Sequence, residues 1–194
     1  MSRKRIVRRS PFGFRRGRVG LGALLLIAIV WSIAPLIRQK TFTPPPADPG
    51  PQMSGGPTLT GRARVIDGDT IELSGTRIRI FGIDAPEKHQ FCQDGTGNRY
   101  GCGMRALNAL EGRIDGQTLV CEKRDTDRYG RSVAVCRQGD ADVGAWMVES
   151  GWAVAYRRYG GDYAAAEDRA RGRRAGIWAG SFENPADWRR NHPR

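Results

Sequence analysis

The chain has 194 residues and a net charge of +12 at neutral pH, a length that suits one ordinary domain with one core. Residues 1–40 hold 10 Lys or Arg and no acid, so the other 154 residues carry 22 basic against 20 acidic side chains. The basicity belongs to the N-terminal head, so overall charge does not point to a nucleic-acid partner; that case must rest on residue placement.

In the basic head, residues 1–18, eight basic side chains from Arg3 to Arg18 precede an uncharged, largely apolar run at residues 19–37. At 1.5 Å per residue the run reaches about 28 Å, close to a bilayer core of about 30 Å. Only Arg38 and Lys40 follow it closely, which predicts a single-pass anchor in the cytoplasmic membrane, N-terminus inside and the rest outside, periplasmic or extracellular. A cleaved signal peptide is the rival, since Ser32-Ile33-Ala34 has the small residues of a cleavage site. Pro35 would then be the first mature residue, a poor fit to an extended peptidase substrate, and clipping would release the protein.

Residues 38–57 change to a Pro/Gly-rich composition, with Pro44, Pro45, Pro46, Pro49, Pro51 and Pro57. This reads as a stiff, extended linker. Residues 58–180 read as the folded domain and 181–194 as a C-terminal tail. Alternation predicts strands at residues 62–66, 70–73 and 77–81, with turns at Asp67-Gly68 and Ser74-Gly75. Met104, Leu107, Leu110 and Ile114 recur at helical spacing. Two more strands are predicted at residues 118–122 and 132–137, joined across residues 125–130. A helix follows at residues 142–150, capped by Asp142, with Val143, Trp146 and Met147 inward and Gly151 after it. Ala164, Ala165 and Ala166 favour a third helix at residues 162–174. The order predicts an α+β fold: a five-stranded OB-fold β-barrel with about three helices, preceded by one transmembrane helix and a linker.

Cys92, Cys102, Cys121 and Cys136 contain no Cys-x-x-Cys pair of the kind that holds tetrahedral zinc. In an exported domain they predict two disulfides. Of three connectivities, Cys92 with Cys102 would close a Gly-rich loop, and Cys121 with Cys136 would join neighbouring strands of a hairpin. Four buried free thiols are the alternative.

Three segments carry the chemistry. Asp67-Gly68-Asp69-Thr70 puts two carboxylates around a glycine at a turn, though Asp-Gly alone is a common hairpin signal. Arg79 lies on the next strand, ahead of Asp84-Ala85-Pro86-Glu87, which alone could simply begin a loop. Asp127-Arg128-Tyr129-Gly130-Arg131 sets an arginine after a turn glycine, where surface salt bridging is the plain alternative.

Together and in this order the segments resemble the staphylococcal-nuclease-like, or thermonuclease, family, whose marks are an Asp-Gly-Asp-Thr turn, an arginine before Asp-x-Pro-Glu, and a Tyr-Gly-Arg turn. The resemblance covers residues 58–178, including Gly151-Trp152-Ala153-Val154-Ala155-Tyr156 and Gly176-Ile177-Trp178. It implies that Asp69, Asp84 and the backbone carbonyl of Ala85 bind a calcium ion, with Asp67 acting through water; such oxygen ligands suit a hard cation. It also implies that Glu87 positions or deprotonates the attacking water, while Arg79 and Arg131 bind phosphate and offset its developing charge. Arginine's planar fork suits phosphate oxygens.

Arg128 and Tyr129 match family positions beside the terminal phosphate, and Tyr156 a tyrosine near the nucleotide; packing is the alternative for these aromatics. Ala85 departs from the threonine often found there but keeps its carbonyl. The insertion from Cys92 to Cys102 departs further and could reshape the cleft. Arg169, Arg171, Arg173 and Arg174 could track a nucleic-acid backbone, or form a solvated helix face.

The expectation is a calcium-dependent endonuclease with little sequence specificity, acting on DNA or RNA outside the cytoplasmic membrane. Nucleic acid is the expected partner, with the membrane as support; no obligate protein partner is expected, and the protein is expected to be monomeric. Two other readings stand beside it. One is a catalytically inactive OB module of the envelope that binds nucleic acid or protein. The other is a disulfide-stabilised envelope protein with calcium as a staple.

Overall fold

The computed structural model describes residues 50–159 and 161–193. The basic head, the apolar run expected to span a membrane, and linker residues 38–49 lie outside the described residues.

Strands β1 (Thr58–Asp67), β2 (Thr70–Leu73) and β3 (Thr76–Ile80) form an antiparallel meander, followed by the short strands β4 (Ile83–Asp84), β5 (Cys92–Gln93) and β6 (Arg99–Tyr100). Helix α1 (Cys102–Ile114) leads into a hairpin of β7 (Thr118–Thr126) and β8 (Ser132–Gln138). Then come β9 (Ala141–Asp142), α2 (Val143–Glu149), β10 (Val154–Ala155), α3 (Ala164–Gly172) and α4 (Pro185–Asn191), with 3-10 turns at Arg157–Tyr159 and Gly176–Ala179.

Pairing runs β3-β2-β1-β7-β8, and a parallel pairing of β3 with β8 closes the ring into a five-stranded barrel. Period-2 alternation explains the interior: Ile71, Leu73, Ile78, Ile80 and Leu119 are buried in one cluster. Each such side chain contributes about 1.5–3 kcal/mol relative to exposure, so burial outweighs surface ion pairs as the source of stability.

Helix α1 covers this core with Ala106, Leu110 and Ile114. Met104, expected on the same face, is 40% exposed. At 3.6 residues per turn it lies about 200° round the helix from Ala106, and the buried residues of this first turn are Cys102, in a second, smaller core, and Gly103, against the Glu87 carbonyl, whose small size the hydrophobic pattern did not register. Asp142 caps α2 as expected, its Oδ1 accepting from Ala145 N at 2.9 Å. Val143 and Met147 are buried and Trp146 is half-buried.

Both expected disulfides are present. Cys121 and Cys136 are direct partners in the β7–β8 register, and Cys92 joins Cys102 across the insertion. The second bridge seeds a small separate core, in which Cys92, Cys102, Val154 and Ile177 pack with Tyr100, Trp152, Trp178 and Phe182.

The last linker residues differ from a free spacer. Lys123 N donates to Pro57 O (2.9 Å), Ser54 N and Oγ donate to Glu122 Oε1 (2.8 and 2.9 Å), and Arg137 Nη2 donates to Pro51 O (3.0 Å). Glu122 is buried, and the two bonds from Ser54 help satisfy a charge that the barrel wall would otherwise isolate.

Candidate active site

The Asp67-Gly68-Asp69 turn between β1 and β2 builds the site. A register shift between Val65 and Asp67 loosens the strand before the turn. Asp67 Oδ1 accepts from Gly68 N at 2.9 Å, which fixes the turn. Gly68 has no space for a side chain: a Cβ there would lie 2.8 Å from the Ala85 methyl and 3.1 Å from that of Ala106. This close approach seats the turn on the β4 loop and on α1, bringing Asp69 beside Asp84.

Register carries the arginines to the same place. Thr70 faces Arg79 across the β2–β3 pair, and β3 runs parallel to β8 with Ile78 opposite Ser132, just after Arg131. Arg79 donates from Nη1 to Asp69 Oδ2 (2.6 Å) and from Nη2 to Asp84 Oδ1 (2.9 Å) and Ile83 O (3.1 Å). Burial opposes the Arg79 charge, but Asp69 and then Asp84 outweigh it and hold its pKa above the ordinary arginine value. Asp69 also accepts from Thr70 Oγ1 (2.8 Å), the hydroxyl that Arg131 Nη1 reaches at 3.3 Å.

Asp84 is 1% exposed and is held by β4, where it faces Val154 of β10. The next residue of that strand pair, Ala155, donates its N–H to Glu167 Oε1 of α3 (3.0 Å). Tyr156 N donates to Gly82 O (2.8 Å), and the Tyr156 ring lies 5.9 Å from the Arg79 guanidinium. Tyr156 therefore lines the site.

Glu87 follows on a loop pinned from below. Its N–H donates to Oε1 of the fully buried Gln90 (3.1 Å). Gly103 of α1 packs so tightly on the Glu87 carbonyl that a methyl there would overlap it.

Arg131 is oriented by Asp127, whose Oδ2 accepts from Arg131 Nε (2.7 Å) and whose Oδ1 accepts from the N–H groups of Tyr129 and Arg131 (both 2.9 Å). Burial works against the Asp127 charge, but the bonds from Arg131 outweigh it and its pKa falls below the usual aspartate value. Tyr129 is 69% exposed, with the guanidiniums of Arg128 and Arg131 at 4.8 and 5.6 Å from its ring. Arg128 and Tyr129 thus stand on the exposed β7–β8 turn beside Arg131.

Asp69, Asp84 and Arg79, drawn from separate stretches, are in this way joined in one chain of contacts, with Arg131 touching it through Thr70, and Glu87 enters it through one further residue. One member is new. Arg189 of α4 donates from Nη1 to Asp84 Oδ1 (3.0 Å) and Glu87 Oε1 (2.9 Å), and from Nη2 to Asp84 Oδ2 (2.8 Å). It belongs to the stretch read as a tail. Asn184-Pro185, a cap followed by proline at the first helical position, was the signal that could have revealed the helix; nothing local marks the arginine.

The basic run of α3 is committed elsewhere. Arg169 pairs with Glu149 (3.1 Å), Arg171 with Glu167 (3.0 Å), and Arg173 and Arg174 donate to the carbonyls of Glu149 and Ala179.

The donor set is all hard oxygen, and Asp69 and Asp84 lie close enough to share one guanidinium. That chemistry fits a divalent cation. As the side chains stand, no three acidic, His or Cys groups among the described residues converge as a metal cluster, because Arg79 and Arg189 sit between them.

Residues 77–180 match the family described as staphylococcal nuclease homologue. The chain belongs to that family. Among its relatives, the succinoglycan biosynthesis protein ExoI of Rhizobium meliloti is 41% identical, over 65% of this chain and 68% of that protein. Protein ParB of Escherichia coli is 34% identical, over 66% of this chain and 76% of its own length. A micrococcal nuclease of Shigella flexneri is 32% identical, over 66% and 78%. The staphylococcal nuclease homologue match begins at Arg77 and stops at Gly180, so it takes in Arg79, Asp84, Glu87 and Arg131 and leaves out both the Asp67–Asp69 turn and Arg189.

Proposed function

We propose that the chain is a metal-dependent endonuclease that hydrolyses phosphodiester bonds of DNA or RNA with little sequence preference. The observation that carries this reading is the Arg79 guanidinium spanning Asp69 and Asp84 at 2.6 and 2.9 Å, with Arg131 one hydroxyl away. Asp69, Asp84 and the Ala85 carbonyl would hold calcium, with Asp67 acting through water. A bound cation supplies charge that offsets the phosphate and polarises it for attack.

The protein's own groups do the rest. Glu87 takes a proton from the attacking water as the water oxygen bonds to phosphorus. The P–O bond to the leaving nucleoside oxygen then breaks, and that oxygen takes a proton from solvent. Arg79 and Arg131 donate to the phosphate oxygens as negative charge builds on them. Tyr156, Tyr129 and Arg128 border this position and offer faces on which bases stack without being read. The two disulfides support an oxidising compartment and hence a domain outside the cytoplasmic membrane, tethered by residues 19–37.

The test is a gel assay of the full-length protein on single-stranded DNA and RNA, with calcium and then with chelator. Calcium-dependent cleavage, abolished by chelator and reduced about 10²- to 10⁴-fold in Glu87→Gln, is the expected result. Cleavage that ignores both changes would refute the reading. A barrel that binds nucleic acid without cutting draws on the ion pairing of Asp84 and Glu87 by Arg189. It would retain the strand in a filter assay and leave it intact under all conditions.

A further inference from the structure

The Cys92 to Cys102 insertion and the C-terminal segment form one unit. Gln93 N donates to Ser181 O (2.8 Å) and Ser181 N to Gln93 O (3.2 Å), a strand-like exchange beside the disulfide. Phe182 meets Trp178 edge-on, with ring centroids 4.8 Å apart, in the small core that the disulfide seeds. Gln90 then ties the segment to the site: its Nε2 donates to Glu183 O (2.6 Å) while its Oε1 accepts from Glu87 N (3.1 Å). Asn184 caps α4 by accepting from Ala186 N (3.0 Å), and the helix delivers Arg189.

The Arg189 contact is specific. It forks onto both oxygens of Asp84 and adds Glu87, while Arg79 takes the remaining position on Asp84 Oδ1. Three of roughly four acceptor positions on the Asp84 carboxylate are thereby filled by guanidinium N–H groups. A cation drawing on Asp84 would compete with Arg189 for the same lone pairs and repel its charge. With Arg189 in place, Asp84 is paired with two guanidiniums and Glu87 with one of them; withdrawing it removes one positive charge from the carboxylate cluster, in the direction that favours a divalent ion.

The contact is also built to be broken. Pro185 is the only α4 residue that is buried, and the Arg189 side chain is 37% exposed. Release of this helix uncovers little apolar surface, and units of this kind open at low free energy.

We propose that α4 is a latch: Arg189 holds Asp84 and Glu87 in a closed state that a divalent cation opens by displacing it. The proposal rests on the reading of Asp84 as a metal ligand given above. Opening also breaks the Arg189–Glu87 ion pair, so cation binding and release of the base from this guanidinium become one event. Calcium affinity is then lowered by the closed fraction, and any change that weakens the latch raises it.

The experiment is a calcium titration of the full-length protein, the wild type against Arg189→Gln, read by calorimetry and by hydrogen exchange of residues 185–191. The latch predicts a calcium Kd at least tenfold lower in Arg189→Gln, and faster exchange in α4 when calcium is added to the wild type. Asn184→Ala, which removes the helix cap and touches neither carboxylate, covers the case in which the first variant fails to fold. It should tighten calcium by about fivefold, the worth of a typical N-cap. Equal affinity in all three proteins with unchanged exchange would overturn the latch and leave calcium-dependent cleavage intact. Calcium that binds none of them, with no cleavage, would overturn the metal reading and the latch with it.

Discussion

Asp127 is the sharpest place to perturb this site, because it touches no substrate yet fixes a group that should. Its carboxylate collects three hydrogen bonds from the β7–β8 turn, including the 2.7 Å bond from Arg131 Nε. The hydrogen bond of the Arg131 guanidinium to Thr70 Oγ1 is long at 3.3 Å. In Asp127→Ala the arginine keeps its charge and loses its aim. Removal of one donor to a developing oxyanion costs about 10²–10³ in kcat, and a misplacement on the order of 1 Å costs about 10². The expected loss for Asp127→Ala is therefore about 10²-fold in kcat on a single-stranded oligonucleotide at saturating calcium. Arg131→Ala should lose about as much or more, and the double variant little beyond Arg131→Ala, since the two residues act as a unit. A kcat within threefold of wild type, or losses that multiply in the double variant, would refute this account. The pH dependence has a definite sign. Asp127 has a folded pKa depressed below the ordinary 3.8, so its stabilisation is fully present above that value and is lost as pH falls through the folded pKa. Asp127→Asn should lower stability by a constant amount above about pH 5 and flatten the acid limb below it, read by denaturant titration at each pH.

Further substitutions probe the supports. Gly103→Ala drives a methyl into the Glu87 carbonyl; kcat should fall at least tenfold on the oligonucleotide substrate, with an overpacking cost of about 1–3 kcal/mol in a denaturant titration. Glu167→Ala strips the acceptor from Ala155 N, next to the residue that faces Asp84, and should cost about 2–3 kcal/mol, whereas Glu167→Gln, which keeps an acceptor, should cost less than about 1.5. Cys121→Ser with Cys136→Ser opens a loop of sequence separation 15 and should lower stability by about 3 kcal/mol, read by the same titration.

Legibility followed the range of the interactions. The first three barrel strands were readable because alternation is written along each, whereas β8 is buried at four consecutive positions; the disulfides were readable because Cys121 and Cys136 fall opposite each other once the hairpin is assumed and Cys92 and Cys102 bracket a Gly-rich loop. Two-residue strands such as β4 and β10 have no period to detect. They exist because Asp84 and Val154, seventy residues apart in sequence, become neighbours only in the folded chain. The face of α1 was misjudged at Met104, because a helix packed closely on Glu87 needs glycine there, not bulk.

The motifs named Asp69, Arg79, Asp84, Glu87 and Arg131 because each sits at a turn or strand end with a local signature. Arg189 has none, and its partners lie 102 and 105 residues away. The insertion after Glu87 gives a physical reason for the pairing. It adds a disulfide and a second core, and the edge of that core at Gln93 pairs with Ser181, in the segment that leads to α4. A chain carrying this insertion therefore has somewhere to dock a C-terminal segment. The docked segment approaches the carboxylates from the side on which Gln90 links Glu87 to Glu183. On this account the insertion and the arginine form one device, and shortening the insertion should release Arg189 as effectively as substituting it.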